Sequence, residues 1–409
     1  MSDAPVKPKR KRVNVRKPDV MELVQAEVNE HFKSNIVDKL KDRGSQLTVG
    51  NTTIRLAQKF GFCYGVERAI DLAYASRRVF PDNNIYLIGE IIHNQEVNSK
   101  LRKMGIVSLP WKELTDDYDR LTEDDVVIIP AFGAPVSYVE KIEAQGAQII
   151  DTTCGDVMKV WRRVKSYAKN GITSIIHGKT GHEETRATAS HALGVKKDGH
   201  YLVVLTLDDV AYLSNYLING GDKSEFMQYF EHRTSDGFDP DKHLEFVGVA
   251  NQTTMLKSET EEIQVLIKKA IEGRDGNSDK FKVFDTICGA TQERQDALFG
   301  MLKRPMDILL VVGGYNSSNT SHLVEIGEKE LPSFFIESAE CLKSLETIIH
   351  FDLNQKQEIE GNYGDIMNRE EPIVIGITAG ASCPNNLIED TVIKAFELRG
   401  ISRDDILKA

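Results

Sequence analysis

Hydrophobic positions fall into two patterns along the chain. Short apolar runs of four or five residues recur at 53–57, 85–89, 126–129, 147–150, 173–177, 246–249, 281–284, 308–312 and 373–377, and they predict buried strands. Between them, apolar residues return every three or four positions. After Cys154 the set is Val157, Val160, Trp161 and Val164, the spacing of one helix face. A second helix is expected from Val66 to about Arg78. From Asp19 to Arg43 the set Val20, Leu23, Val24, Val28, Ile36, Val37 and Leu40 predicts a helical extension, with Asp19 placed to cap it and Gly44 to stop it. Strands alternating with helices imply parallel βαβ units, the α/β class.

The pattern also repeats. Asp151-Thr-Thr-Cys154-Gly155 matches Asp285-Thr-Ile-Cys288-Gly289 at four of five positions, and Gly61-Phe-Cys63-Tyr-Gly65 has the same strand-before, helix-after setting. Each cysteine unit is followed by a second strand and loop, carrying His93-Asn94, His182-Glu183-Glu184 and Asn316-Ser-Ser-Asn319 in turn. Each then has a third, leading into Pro130-Ala-Phe-Gly133, Asn251-Gln-Thr-Thr254 and Thr378-Ala-Gly-Ala-Ser382. Ligands of parallel α/β folds bind beyond the carboxyl ends of the strands, so the nine loops are expected to serve one centre. The expected organisation is a disordered basic tail over 1–18, a helical extension over 19–50, and α/β lobes over 51–148, 149–281 and 282–409.

Composition narrows the function. The 409-residue chain has a formal net charge of −11, which argues against nucleic acid as the main partner. Its longest apolar stretch, Ile308 to Val312, is far short of the roughly 20 residues of a membrane helix. The basic start lacks the apolar segment of a secretory signal and is not Ser-rich, so a cytoplasmic protein is expected. The five cysteines, Cys63, Cys154, Cys288, Cys341 and Cys383, are widely spaced and include no CxxC, which is not a disulfide framework.

Three cysteines at helix starts in equivalent loops suit a soft metal or an iron–sulfur cluster, because a helix N-terminus favours thiolate. Three ligands leave one iron open for substrate, whereas an electron-transfer cluster usually has four. Cys341 lies outside the repeated loops, and Cys383 is a candidate fourth ligand. Gly178-Lys-Thr180 lacks the first glycine of a P-loop. The segment from Gly313 to Asn319 is a glycine- and hydroxyl-rich helix start suited to an anion.

Together these motifs resemble the 4-hydroxy-3-methylbut-2-enyl diphosphate reductases of the methylerythritol phosphate route. The likeness runs from about Asn51 to the C-terminus through GFCYGVERA, EIIHN, DTTC, HEET, NQTT, TICGAT, NSSN and TAGAS. The resemblance implies a trefoil of three lobes around a central 4Fe–4S cluster held by Cys63, Cys154 and Cys288. It implies reduction of an allylic diphosphate to isopentenyl and dimethylallyl diphosphates, with reduced ferredoxin or flavodoxin as electron donor. It further implies His93, His182, Ser317, Ser318, Asn319 and Ser382 on the substrate, and Glu184 as proton donor with Thr253 as its partner on the hydroxyl side.

The chain departs from the family pattern in three places. Phe132 stands where many members have histidine, Gly155 replaces a proline, and Cys383 replaces a non-cysteine residue. The PAFGA loop and the N-terminal extension look like the plant and cyanobacterial branch. Two other readings remain open at this point. In one, Cys383 completes a four-cysteine electron-transfer or redox-sensing centre. In the other, the thiols are core residues of a binding scaffold.

Overall fold

The computed structural model describes residues 12–284 and 287–408. Among the described residues, fifteen strands form three mainly parallel sheets and one hairpin. The strands are β1 (Gln46–Val49), β2 (Thr52–Leu56), β3 (Ile85–Ile88), β4 (Ile106–Leu109), β5 (Val126–Ile129), β6 (Gln148–Asp151), β7 (Thr173–His177), β8 (Tyr201–Val204), β9 (Val247–Asn251), β10 (Phe281–Val283), β11 (Ile308–Val312), β12 (Ser333–Ile336), β13 (Thr347–Asp352), β14 (Gln357–Asn362) and β15 (Ile373–Ala379).

The sheets follow one order. The first runs β4-β3-β5-β6, the second β8-β7-β9-β10, and the third β12-β11-β15-β2 with β1 added outside β2. Every pairing is parallel except β1 with β2 and the hairpin β13–β14. Strands β5, β7, β9 and β11 are buried at every position, as parallel strands covered on both faces must be. These are the apolar runs without alternation that the sequence presents.

One feature differs from the expected lobe boundaries. The strand that leads into each cysteine belongs to the sheet of the preceding repeat. β6, before Cys154, pairs with β5, and β10, before Cys288, pairs with β9. β2, before Cys63, pairs with β15 near the far end of the chain, Thr52 opposite Ile373 and Leu56 opposite Ile377. Boundaries at 148/149 and 281/282 therefore cut through the edge strands β6 and β10. The chain forms two compact units. One holds the segment ending at Val15 with Ser76–Ile91 and Arg102–Cys288, and so the first two sheets; the other holds Arg16–Ala75, Ile92–Leu101 and the chain from Gly289, and so the third.

The N-terminal region also differs. The tail reading over residues 1–11 lies outside the described residues. From Arg12 the chain is placed: Val13 N–H donates to Ile149 O at 3.1 Å and Val15 is fully buried. These β-branched residues give the segment something to pack, which its charge count hides. The single expected helix is two, Pro18–Phe32 and Asn35–Asp42. Ser34 divides them by accepting Val37 N–H at 2.9 Å, an N-cap inside the apolar periodicity. Pro18 opens the first helix, so Asp19 lies in its first turn and not at the cap.

A buried imidazole makes the first unit sensitive to acid. His191, on the helix Glu183–Ala192, packs against Trp161 with ring centroids 4.0 Å apart and planes tilted by 47°, and is only 9% exposed. Burial pushes its pKa down to about 3. The folded ring stays neutral while the unfolded ring takes a proton below about 6.5, so stability falls as pH drops from 6.5 toward 3. At pH 5.5 the loss from His191 alone should be about 1.4 kcal/mol relative to pH 7.5. Urea midpoints of wild type and His191→Gln at both pH values would show it; an equal acid shift in the two proteins removes His191 as its source.

Candidate functional site

Three helices begin at the three expected cysteines: Tyr64–Val79, Gly155–Lys169 and Gly289–Leu302. One hydrogen bond recurs at each turn. Cys63 N–H donates to Ala381 O (3.3 Å), Cys154 N–H to Ala131 O (2.8 Å) and Cys288 N–H to Thr253 O (3.3 Å). Each acceptor lies two residues beyond the end of β15, β5 or β9. The same bond thus fixes each thiol turn to the third loop of its own sheet. All three thiols are half-buried, which keeps them open to chemistry.

The other two cysteines differ. Cys341 is buried, with Sγ 3.6 Å from the Tyr315 hydroxyl. Cys383 is fully buried and its Sγ points to Pro384 O at 3.6 Å. Burial, and then the charge of Glu96, push this thiol up and keep it protonated. A buried neutral thiol turned to a carbonyl is a poor cluster ligand, which argues against Cys383 as a fourth.

In the first unit, Glu184 and Thr253 meet. Thr253 N–H donates to Glu184 Oε1 at 2.6 Å, and its hydroxyl donates to Oε2 at 3.0 Å. Both residues are buried. Since Thr253 O also accepts Cys288 N–H, one residue joins the carboxyl to a thiol turn. His182 is the N-cap of the helix Glu183–Ala192: its Nδ1 accepts Glu184 N–H at 3.1 Å. A neutral ring accepting at Nδ1 carries its proton on Nε2, so that nitrogen is a donor. Phe132 packs edge-on against this ring, centroids 6.2 Å apart at 75°. An apolar edge contact to His182 therefore occupies this position in the third loop of the first sheet.

The second unit holds Cys63, His93, Ser317, Ser318, Asn319 and Ser382. Ser317 caps the helix Ser318–Gly327, and Ser317, Ser318 and Asn319 are all buried. Asn319 Oδ1 accepts Ala381 N–H at 2.9 Å, which ties this loop to the one bearing Ser382. Its Nδ2 is buried without a protein partner. An orphaned amide donor at a helix start is what an anion would satisfy. A Cβ on Gly314 would lie 2.5 Å from the His93 carbonyl oxygen, so glycine there lets the two loops touch.

Several supports are not visible as chemistry in the sequence. Gln252 Oε1 accepts Lys179 N–H (3.2 Å) and the Thr185 hydroxyl (3.0 Å), locking the His182 loop to β9. Asn94 caps the helix after His93 by accepting Val97 N–H at 3.1 Å. Arg294 Nη2 donates to Gly61 O at 2.5 Å, steadying the approach to Cys63. Gly133, at φ 81°, leaves room for Trp161, whose ring would be 2.2 Å from a Cβ there. Gln252 and Asn94 do lie inside the NQTT and EIIHN motifs; Arg294 and Gly133 carry no signal beyond their neighbours.

This geometry agrees with what the chain is similar to. A 4-hydroxy-3-methylbut-2-enyl diphosphate reductase of Microcystis aeruginosa (strain NIES-843 / IAM M-2473) is 45% identical over 382 residues, 92% of each chain. A solved structure of (E)-4-hydroxy-3-methyl-but-2-enyl diphosphate reductase, described as the terminal enzyme of the non-mevalonate pathway, matches with TM-score 0.51 and 26% identity, over 84% of this chain and 99% of that one. The E-1-hydroxy-2-methyl-but-2-enyl-4-diphosphate reductase of Plasmodium falciparum shares the fold at TM-score 0.61 and 22% identity, over 86% and 90% of the two chains. The family model described as LytB protein matches residues 54–397, from β2 to the last long helix. That span takes in all three thiol turns and every loop described above, and the chain belongs to the LytB family.

Proposed function

We propose that this protein reduces 4-hydroxy-3-methylbut-2-enyl diphosphate to isopentenyl and dimethylallyl diphosphates. The observation that carries the reading is Thr253, which holds the Glu184 carboxyl through both its N–H and its hydroxyl while bonding to the Cys288 turn. A proton donor is thereby coupled to a metal-ligating turn, as reductive loss of a hydroxyl requires.

Cys63, Cys154 and Cys288 would hold an iron–sulfur cluster. Their fit rests on shared position, shared backbone bond and half-exposure, against the buried Cys341 and Cys383. A bound cluster would supply electrons and a Lewis-acidic iron. Reduced ferredoxin or flavodoxin would deliver those electrons, and five reduced thiols suit a cytoplasmic setting. The balance is one allylic alcohol, two electrons and two protons giving one C–H bond and water.

The chain's own groups divide the remaining work. Glu184 holds the proton for the departing oxygen, and Thr253 orients its carboxyl. His182 offers Nε2–H, and Phe132 fixes the ring that carries it. His93, Ser317, Ser318, Asn319 and Ser382 bind the diphosphate with neutral donors and a helix start, without a lysine or arginine cluster.

The test begins with anaerobic purification, iron and sulfide analysis, and turnover with reduced methyl viologen. Protein without cluster iron and without turnover defeats the reading. Asn319→Ala with Ser317→Ala should keep the cluster yet weaken substrate binding. Each hydrogen bond lost to a charged group costs about 1.5–3 kcal/mol, so Kd should rise by roughly two orders of magnitude or more. Unaltered affinity by calorimetry would move the diphosphate elsewhere.

A further inference from the structure

The strand entering each cysteine turn is the outer strand of the repeated order, and two of the three are covered. In the first sheet, residues 12–13 run along β6, through the bridge of Arg12 to Ile149 and the bond from Val13 N–H. In the third, β1 pairs with β2 from Thr52 to Arg55. Among the described residues no strand covers β10. Its Lys282 and Val283 are exposed, as is the next residue, with Val283 at 41% and Phe284 at 37%.

Beside this edge lies a basic helix face. Arg163 sits 3.6 Å above the Phe284 ring, and Tyr167 is 6.2 Å from it. The helix Gly155–Lys169 carries Lys159, Arg162, Arg163, Lys165 and Lys169 against one acid, Asp156, and all five cations are exposed. Its net charge of 5 − 1 = +4 stands out in a chain of −11. An exposed aromatic under a guanidinium, rimmed by cations, has the anatomy of a docking surface. Elsewhere the acidic chain repels an acidic partner, so this face would orient it.

The position of the face identifies its use. The helix starts at Cys154, and β10 leads toward Cys288. Arg163 is nine residues beyond Cys154, about 13 Å along the helix axis. We propose that this face receives a small acidic one-electron carrier protein. Two reduced carriers each lose one electron, and those electrons with two protons turn the substrate's C–O bond into C–H and water. The proposal rests on the reading of Cys154 and Cys288 as cluster ligands.

The test uses the full-length holoenzyme and a reduced plant-type [2Fe–2S] ferredoxin as the probe. Lys159→Glu with Arg162→Glu should raise the KM for ferredoxin about tenfold or more and flatten its rise with ionic strength. Turnover with reduced methyl viologen should stay within about twofold of wild type, since a small reductant needs no charged docking face. Lys329→Glu with Lys343→Glu makes the same charge change on other exposed lysines and should leave the ferredoxin KM near wild type. Calorimetric binding of oxidised ferredoxin reads docking even where turnover is damaged, and it should weaken in the first pair only. Equal behaviour of the two pairs overturns the proposal. So does loss of binding to a DNA duplex with ferredoxin binding intact, which would make the face a polyanion surface. Wild-type protein without cluster iron defeats the functional reading itself; intact viologen turnover with an unmoved ferredoxin KM defeats only the docking face.

Discussion

Cys154→Ser protein, purified without oxygen, should lose its brown chromophore and nearly all cluster iron and sulfide. Cys63→Ser and Cys288→Ser should behave alike, because one backbone bond places all three thiols at the same point of the repeat. A serine oxygen is a hard donor and a poor substitute for the soft sulfur that an iron–sulfur cluster takes. Outer-shell partners of metal ligands already cost about 10–100-fold when removed, so loss of a ligand should lower turnover by more than about 100-fold. Cys341→Ser should keep the cluster, since that thiol packs on Tyr315 inside the third sheet's surroundings. Cys383→Ser should keep it too, whereas a four-cysteine electron-transfer centre would lose it. Normal iron and sulfide in Cys154→Ser, with circular dichroism unchanged, would remove the ligand assignment.

The cysteine turns were legible because their signals are local. A buried parallel strand is a continuous apolar run, and a helix after it shows 3.6-residue spacing. Sheet partnership is not local. Nothing near Thr52 says that β2 pairs with β15, more than 300 positions away, instead of with β3. The cysteines mark the repeat and so put each boundary at the strand that enters the thiol turn, whereas hydrogen bonding assigns those strands to the sheet before. The break at Ser34 was hidden in the same way, since the apolar stripe continues in phase across it and only the cap reveals two helices.

Site residues divide along the same line. Side chains with polar ends, such as His93, His182, Glu184 and Asn319, stand out in a motif. What holds them is mainly backbone: Thr253 N–H on Glu184, Ala381 N–H on Asn319, and Glu184 N–H on His182. Residue identity carries no record of a main-chain donor's direction. Phe132 illustrates the limit. Its identity shows only an apolar ring in a loop, while its role, an edge against the His182 ring, depends on where helix and loop meet.

Glu184→Gln should keep the cluster and bind substrate, yet turn over about 10²–10⁴-fold more slowly, the usual contribution of a positioned general acid. The amide is nearly the same size as the carboxyl. Its oxygen can still accept Thr253 N–H, replacing the 2.6 Å bond to Oε1, and its nitrogen can donate to the Thr253 hydroxyl. The variant therefore preserves the link from Glu184 through Thr253 to the Cys288 turn, and it removes only the proton that can be given up. Thr253→Val separates orientation from protonation: the backbone N–H remains on Oε1 while the hydroxyl bond is lost. Its defect should be smaller than that of the glutamine variant, because the acid itself survives. Single-turnover rates with excess reduced methyl viologen isolate this step from electron delivery. A surface glutamate that merely favoured the helix N-terminus would add only about 0.3–1 kcal/mol of stability and leave turnover untouched. Glu184 is instead buried, and both its oxygens are bonded to Thr253, the residue that also accepts the Cys288 N–H. Near-normal single-turnover rates in Glu184→Gln would reduce it to that stabilising role and require another proton source.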